Sequence, residues 1–165
     1  MAELSSQERL FPSLLDRLTD DDPEHQSESR DRRVFSLSKL RAAVLRDLAW
    51  LLNTTHLAAT EDLGNTPLVA ESVINYGIPD LTGKAVSGLE VVDLQRAIRQ
   101  AILNFEPRIL ADTLEVRGRA DEESGPSNSL TFEIEGELWA RPIPERLFLR
   151  TELDLETGSV AINEV

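Results

Sequence analysis

The short segment Phe105-Glu106-Pro107-Arg108 contains the acid whose surroundings best suit chemistry. Glu106 follows an apolar residue at the end of a predicted helix, and a carboxyl group in an apolar site can have a raised pKa and act as a general acid. The alternative is that Glu106 and Arg108, on either side of the stiff Pro107, form an ion pair or bind another chain. We favour this alternative, because no second carboxylate is marked out as a catalytic partner among the 30 Asp and Glu residues.

Patterns for other kinds of catalysis are missing from the sequence. The chain has no cysteine, which excludes disulfides, thiolate ligands and cysteine nucleophiles. His25 and His56 have neither the spacing of a metal pair nor an obvious base partner, and we interpret both as surface residues. The segment 77–85 resembles a phosphate loop, but it has one residue too many between its glycines, and Ala85 replaces the required Ser or Thr. We therefore predict no catalytic residue, no metal site and no cofactor.

The N-terminal region is predicted to be separate from the rest of the chain. Apolar residues recur at helical spacing over residues 7–18, which indicates a short amphipathic helix. Residues 19–33 are polar and acidic, without an apolar residue that could anchor them, which is typical of a flexible linker. We therefore divide the chain into residues 1–33, an N-terminal helix with an acidic flexible linker, and residues 34–165, one α+β domain.

Three further helices are predicted to position the Glu106 segment. They run from residue 36 or 38 to about 53, from 67 to 76, and from 87 to about 105. The last has the best support, because Ser87 and Glu90 have the spacing of a capping box and apolar residues continue at helical intervals. It must end before Pro107, since proline disfavours a helical conformation at the residue that precedes it.

The last third of the chain changes to the period of strands. Leu130, Phe132 and Ile134 alternate with polar residues, and similar alternation predicts strands that begin near Leu114, Leu147 and Val160. The predicted fold class is α+β, with amphipathic helices packed on one face of a small, mainly antiparallel sheet of about four strands. Aromatic residues make up 5% of the chain, so we expect an aliphatic core in which Trp50 and Trp139 are the two largest side chains.

Length and charge narrow the kinds of partner. A chain of 165 residues can bury the core of one ordinary domain. Its formal charge of −13 disfavours nucleic acid and anionic membranes, so a protein partner is favoured. The N-terminus lacks the apolar centre of a signal peptide and no stretch is long enough for a membrane span, from which we expect a cytoplasmic location without membrane insertion.

Three segments together resemble a known family. Residues 105–108 match its Glu-Pro-Arg signature, and residues 72–81 resemble its Asn-Tyr-Gly-hydrophobic-Pro-Asp segment. Residues 46–54 match the helix that precedes them. In this order and spacing the segments resemble the gp25-like, or lysozyme-like, baseplate wedge proteins of contractile injection machines. The resemblance is closer to their type VI secretion branch, the TssE proteins, and it covers residues from about 7 to 155.

The resemblance implies a structural role in a baseplate. Glu106, Pro107 and Arg108 would bind partner helices in the wedge, beside subunits of the TssF, TssG and TssK types. The residues expected to form a structural motif are Asn75, Tyr76, Gly77, Pro79 and Asp80. An exposed sheet edge would accept a strand from the first sheath ring, built from TssB-like and TssC-like subunits, and would help to start sheath polymerisation. The implied location is a cytoplasmic baseplate docked on the inner-membrane complex, and no small-molecule substrate is implied.

The rival hypothesis is a lysozyme-like glycoside hydrolase that acts on peptidoglycan. Such an enzyme needs export, two positioned carboxylates and a charge that an anionic wall does not repel. The sequence predicts none of these. On the structural hypothesis, we expect Arg108→Glu to prevent assembly while the isolated domain remains folded.

Overall fold

Two long helices and four consecutive strands dominate the part of the chain that the structure describes. The computed structural model describes residues 13–19, 36–80, 88–119, 129–140 and 144–164. Its helices are α1 (Leu14–Leu18), α2 (Leu37–Leu52), α3 (Pro67–Ala70) and α4 (Gly88–Phe105), with 3-10 turns at Leu57–Ala59 and Val73–Asn75. Its strands are β1 (Glu115–Arg119), β2 (Ser129–Leu138), β3 (Glu145–Asp154) and β4 (Val160–Glu164). The start of the predicted helix 7–18, nearly all of the predicted linker and the Ser87–Glu90 capping side chains lie outside the described residues.

The predictions for α2 and α4 are confirmed. The Ser36 hydroxyl accepts a hydrogen bond from the Lys39 N–H at 3.2 Å, which starts α2 at one of the two predicted caps. Apolar residues three and four apart put one side of each helix into the core. The buried residues of α2 are Leu40, Ala43, Val44, Leu48, Leu51 and Leu52. Those of α4 are Val91, Leu94, Ile98, Ala101 and Ile102.

The prediction of one continuous helix from 67 to 76 is wrong. The chain forms the single turn of α3 and then the separate 3-10 turn Val73–Asn75. The Ser72 hydroxyl accepts a hydrogen bond from the Ile74 N–H at 3.3 Å, and the Asn75 side chain donates to the Ala70 carbonyl at 2.8 Å. Short polar side chains compete with the helix for these backbone groups, so the helix breaks between the two turns.

The four strands form one antiparallel sheet in the order β1-β2-β3-β4, which confirms the α+β fold class. One face of the sheet is apolar, with Val116 opposite Ile134 and Ile134 opposite Leu149. Helices α2 and α4 pack on this face and enclose the core between the two layers.

The expectation that the two tryptophans are the largest core side chains is wrong. Trp50 is 52% exposed and Trp139 is 48% exposed, whereas Phe132 is the largest fully buried side chain. Trp50 lies two residues after the buried Leu48, and helical residues two apart face different sides. Trp139 directly follows the buried Leu138, and successive residues of an extended chain point to opposite faces. Both tryptophans therefore belong to the surface.

Candidate partner-binding site

The turn that follows α4 places Glu106 inside the protein and Pro107 on its surface. The Glu106 N–H still donates to the Ile102 carbonyl at 2.8 Å, and the Ile109 N–H then closes a turn on the Glu106 carbonyl at 3.2 Å. Glu106 is 3% exposed, whereas Pro107 is exposed. Proline has no N–H and disfavours a helical residue before it, so the helix must end here.

The ion pair expected across Pro107 is present. The backbone N–H of Arg108 donates to Glu106 Oε1 at 3.2 Å, and its Nε donates to the same oxygen at 2.6 Å. Its Nη2 donates to Glu106 Oε2. A buried carboxylate needs such partners to offset the loss of water, and a guanidinium that contacts both oxygens supplies them in a fixed geometry. The turn is thus held by its own acid and base.

The ion pair continues to α2 and α1. Arg108 Nη2 also contacts Asp47 Oδ2 at 2.5 Å, and Asp47 Oδ1 accepts from Arg46 Nε at 2.8 Å. Arg46 Nη1 in turn lies 2.7 Å from Asp16 Oδ1 in α1. We call Glu106, Arg108, Asp47, Arg46 and Asp16 the ion-pair chain. It connects the turn after α4 with two helices that precede it in sequence.

The acids of the ion-pair chain keep both of its arginines charged. Burial by itself lowers the pKa of Arg108, but hydrogen bonds and charge from Glu106, followed by those from Asp47, raise the pKa above its ordinary value. Burial likewise lowers the pKa of Arg46, and Asp16 and Asp47 raise it above the ordinary value. Both side chains therefore act as permanent cations that bind neighbouring carboxylates.

Tyr76 connects the middle motif, residues 75–80, to the turn after α4. The ring of Tyr76 packs edge-on against Phe105, with 5.2 Å between the ring centres. Its hydroxyl donates to the Asp47 carbonyl at 3.3 Å, and burial, with added effects from the Asp47 and Glu106 charges, raises its pKa. Asn75 accepts from the Ala58 N–H at 2.9 Å, which fixes the 3-10 turn on which Tyr76 is placed.

Gly77 lets the motif lie against the segment that follows α2. Its φ angle is 124°, and a Cβ atom at this position would overlap the Thr54 carbonyl. The close approach allows the Ile78 N–H to donate to the Thr54 carbonyl at 2.8 Å, while the Ile78 carbonyl accepts from the His56 N–H at 3.0 Å. His56 is half-buried rather than fully exposed, and this burial lowers its pKa.

The structure brings together residues from the three segments singled out in the sequence. Glu106, Arg108 and Tyr76 lie around Asp47. Pro79 and Asp80 follow the backbone bonds between Ile78 and residues 54–56; Pro79 is half-buried and Asp80 is exposed. Asp47 is a site residue that the sequence reasoning missed. Its position in the segment 46–54 was the one indication in the sequence that it belongs to the site. Its contact with Arg108 could not be predicted, because the two residues are 61 positions apart.

Trp139 extends the surface beside the turn, and sequence reasoning missed it as well. The Trp139 N–H donates to the Arg108 carbonyl at 2.7 Å, and Ile109 pairs with Leu138 as a short antiparallel bridge. The half-exposed Trp139 therefore lies directly after the end of β2, where the turn that follows α4 is hydrogen-bonded to the strand. Pro107 and Trp139 are thus exposed residues on either side of this backbone bond.

The surroundings of Glu106 do not suit general acid catalysis. Both of its carboxylate oxygens accept hydrogen bonds from a charged arginine, whereas a general acid must present a proton to its substrate. Within the described ranges, no group of three or more His, Cys, Asp or Glu side chains is arranged to hold a metal ion. The arrangement instead suits a rigid element that another protein contacts.

A groove of about 270 Å³ on the outer face of the sheet also contains carboxylates. Its lining residues are Thr113, Glu115, Arg117, Glu135, Gly136, Glu137 and Arg146. Glu115 pairs with Arg117, and these side chains are 59% and 62% exposed. Solvated, paired charges of this kind do not provide the apolar site in which a catalytic acid is kept protonated.

Comparison with known proteins identifies the family. The family model of the baseplate wedge protein gp25 matches residues 38–143, which is more than half of the chain. No curated protein matches the chain significantly. Among the described residues, no helix has the length and apolarity that a membrane span requires. The match covers α2, the middle motif, α4 and the Glu-Pro-Arg turn, and this chain is therefore a member of the gp25 baseplate wedge protein family, with a structural role in the baseplate.

Proposed function

We propose that this chain joins the wedge subunits of a type VI secretion baseplate to the first sheath ring and helps to start sheath polymerisation. Its wedge partners would be of the TssF, TssG and TssK types, and its sheath partners of the TssB and TssC types. It would act in the cytoplasm, where the baseplate docks on the inner-membrane complex. Membership of the gp25 family supports the baseplate part of this proposal.

The observation that carries the proposal is a turn whose charges are bonded internally and whose Pro107 is exposed, with the half-exposed Trp139 bonded to it. Glu106 and Arg108 bind each other, and Arg108 also binds Asp47, while Pro107 and Trp139 are exposed. A turn already fixed in one geometry loses little conformational entropy when a partner binds. Tryptophan is also among the side chains that contribute most at protein interfaces. In this arrangement Glu106 and Arg108 fix the geometry of the turn, and Pro107 and Trp139 contact the partner.

The two exposed tryptophans provide a matched test of wedge binding. The chain and its variants are titrated against a purified complex of TssF-type and TssG-type subunits. Trp139→Ala should weaken binding at least about 30-fold, which corresponds to about 2 kcal/mol at an interface hot spot. The backbone bond from residue 139 to Arg108 remains in this variant. Trp50→Ala removes from α2 an equally exposed indole, whose ring contacts Arg46 at 5.2 Å and not the turn, and this variant should bind within about twofold of the wild type.

Circular dichroism must show that both variants are folded. Equal binding by Trp139→Ala and the wild type would remove the turn and Trp139 from the wedge interface. Loss of binding in Trp50→Ala alone would assign the interface to the outer side of α2 instead.

A further inference from the structure

The sheet has two edges, β1 and β4, and the backbone pattern shows which residues of each edge point outward. At the end of β3 the Asp154 N–H donates to the carbonyl of Ser159, the residue before β4, at 2.9 Å, so by alternation Ala161 and Asn163 of β4 bond to β3. The outward amides and carbonyls of β4 are those of Val160, Ile162 and Glu164. In β1 the same alternation turns Val116 and Gly118 outward, together with Leu114, which directly precedes the strand.

Side chains of α4 occupy both ends of the β1 edge. The Gly118 N–H donates to Gln95 Oε1 at 3.2 Å, and the Leu114 carbonyl accepts from Arg99 Nε at 3.3 Å. Gln95 and Arg99 are one helical turn apart, so a single helix covers the edge. Val116 lies between the two occupied positions and is 4% exposed. An incoming strand would have to displace α4 to pair along β1.

At the β4 edge, Asn53 occupies the first outward backbone position, and Arg41 of α2 pairs with the side chain of Glu164 but not with its backbone. Asn53 Nδ2 donates to the Val160 carbonyl at 2.9 Å, and Asn53 Oδ1 accepts from the Val160 N–H at 2.9 Å. The amide thus satisfies both backbone groups, as a neighbouring strand would. No described residue bonds the outward backbone groups of Ile162 or Glu164, and Glu164 is exposed. The run from Ile162 onward has the geometry that strand addition requires.

We infer that β4 is the edge that accepts a strand from the sheath subunit, and that Asn53, by occupying Val160, makes the added strand start its pairing at Ile162. This inference rests on the proposed function, which supplies the strand donor. The donor is an extended segment with alternating residues. Its apolar residues share the inner face with Ile162, which lies opposite the buried Thr151.

Amide exchange measured by NMR on the full chain tests this edge, with a purified complex of TssB-type and TssC-type subunits as the probe. In the free protein the Ile162 and Glu164 amides should exchange fast, while the Val160 amide is protected by Asn53. When the probe is bound, exchange at Ile162 should slow at least tenfold. In Asn53→Ala the Val160 amide should exchange fast in the free protein and become protected in the complex.

Proline at residue 162 gives a second measurement, because an edge strand tolerates proline where its N–H faces solvent. Ile162→Pro should weaken binding of the same probe at least tenfold, whereas Gln95→Ala, which frees the β1 edge, should leave binding unchanged. A complex that protects Val116 and not Ile162 would overturn the edge assignment while leaving the proposed function intact. Failure of the wild type to bind the probe would overturn the proposed function and the edge assignment with it.

Discussion

At the scale of residues, the ion pair that Arg108 forms with Glu106 bears on the stability of the isolated domain. Its side chain is 21% exposed and contacts Glu106, which is 3% exposed, so the pair is part of the folded structure before any partner binds. The expectation that Arg108→Glu would leave the isolated domain folded therefore loses its support. Removing one member of a buried ion pair leaves the other charge without compensation.

We predict that Arg108→Glu lowers the free energy of unfolding by about 3 to 5 kcal/mol, the usual cost of breaking a buried ion pair. The new carboxylate would also face Glu106 and Asp47. Urea denaturation followed by circular dichroism measures the change. Arg96→Glu is the matched control, because Arg96 is 73% exposed and pairs with Asp93 on the surface of α4. Its effect should stay near 0.5 kcal/mol, and equal effects of the two variants would show that Arg108 is not an internal support.

At the scale of elements, α1 is attached to the domain through charge rather than through apolar burial. None of its residues is buried, and Leu14 and Leu18 are 69% and 74% exposed. Its capping box joins Ser13 and Asp16, and Asp16 contacts Arg46 of α2. Partly exposed ion pairs contribute about 0 to 1 kcal/mol, so this helix is easily released.

We predict that Asp16→Asn detaches α1 while the rest of the domain stays folded. Trypsin should then cleave after Arg17 several-fold faster than in the wild type. Asp93→Asn, which removes the carboxylate of an ion pair within α4, does not touch α1 and should leave that rate unchanged. Cleavage at the wild-type rate in Asp16→Asn would mean that other contacts hold α1.

The same contact should depend on pH. Burial raises the pKa of Asp16, but hydrogen bonds from Ser13 and Arg46 lower it, and the net pKa lies below the ordinary value of 3.8. A lowered acid pKa stabilises the attached state above pH 3.8, and this contribution is lost as the pH falls through the lowered pKa. Attachment of α1 should therefore be constant near neutral pH and weaken only in strong acid.

At the scale of the whole molecule, charge and site geometry both argue against action on a cell wall. The formal charge is −13, and Glu106 is bonded to Arg108 through both oxygens. We predict that the purified protein releases no soluble fragments from peptidoglycan and that Glu106→Gln behaves in the same way. The assay is chromatography of the digest, with an active lysozyme as positive control. Cleavage by the wild type that disappears in folded Glu106→Gln would establish the hydrolase.

The sequence by itself determined the elements that depend on local patterns. The apolar spacing of α2 and α4, the alternation in β2 and the end of α4 before Pro107 are all readable within a few residues. Such patterns define which side of an element is apolar, and this was enough for the α+β fold class. The Glu-Pro-Arg and Asn-Tyr-Gly segments were also recognisable because each is short and continuous.

Only the tertiary structure decided which distant groups meet. The contact between Asp47 and Arg108 spans 61 residues, and the bonds between Asn53 and Val160 span 107, so no local pattern could report them. The burial of Glu106 and the exposure of both tryptophans follow from where the helices lie on the sheet. Packing places a side chain relative to the whole core, whereas sequence periodicity places it only relative to its own helix or strand.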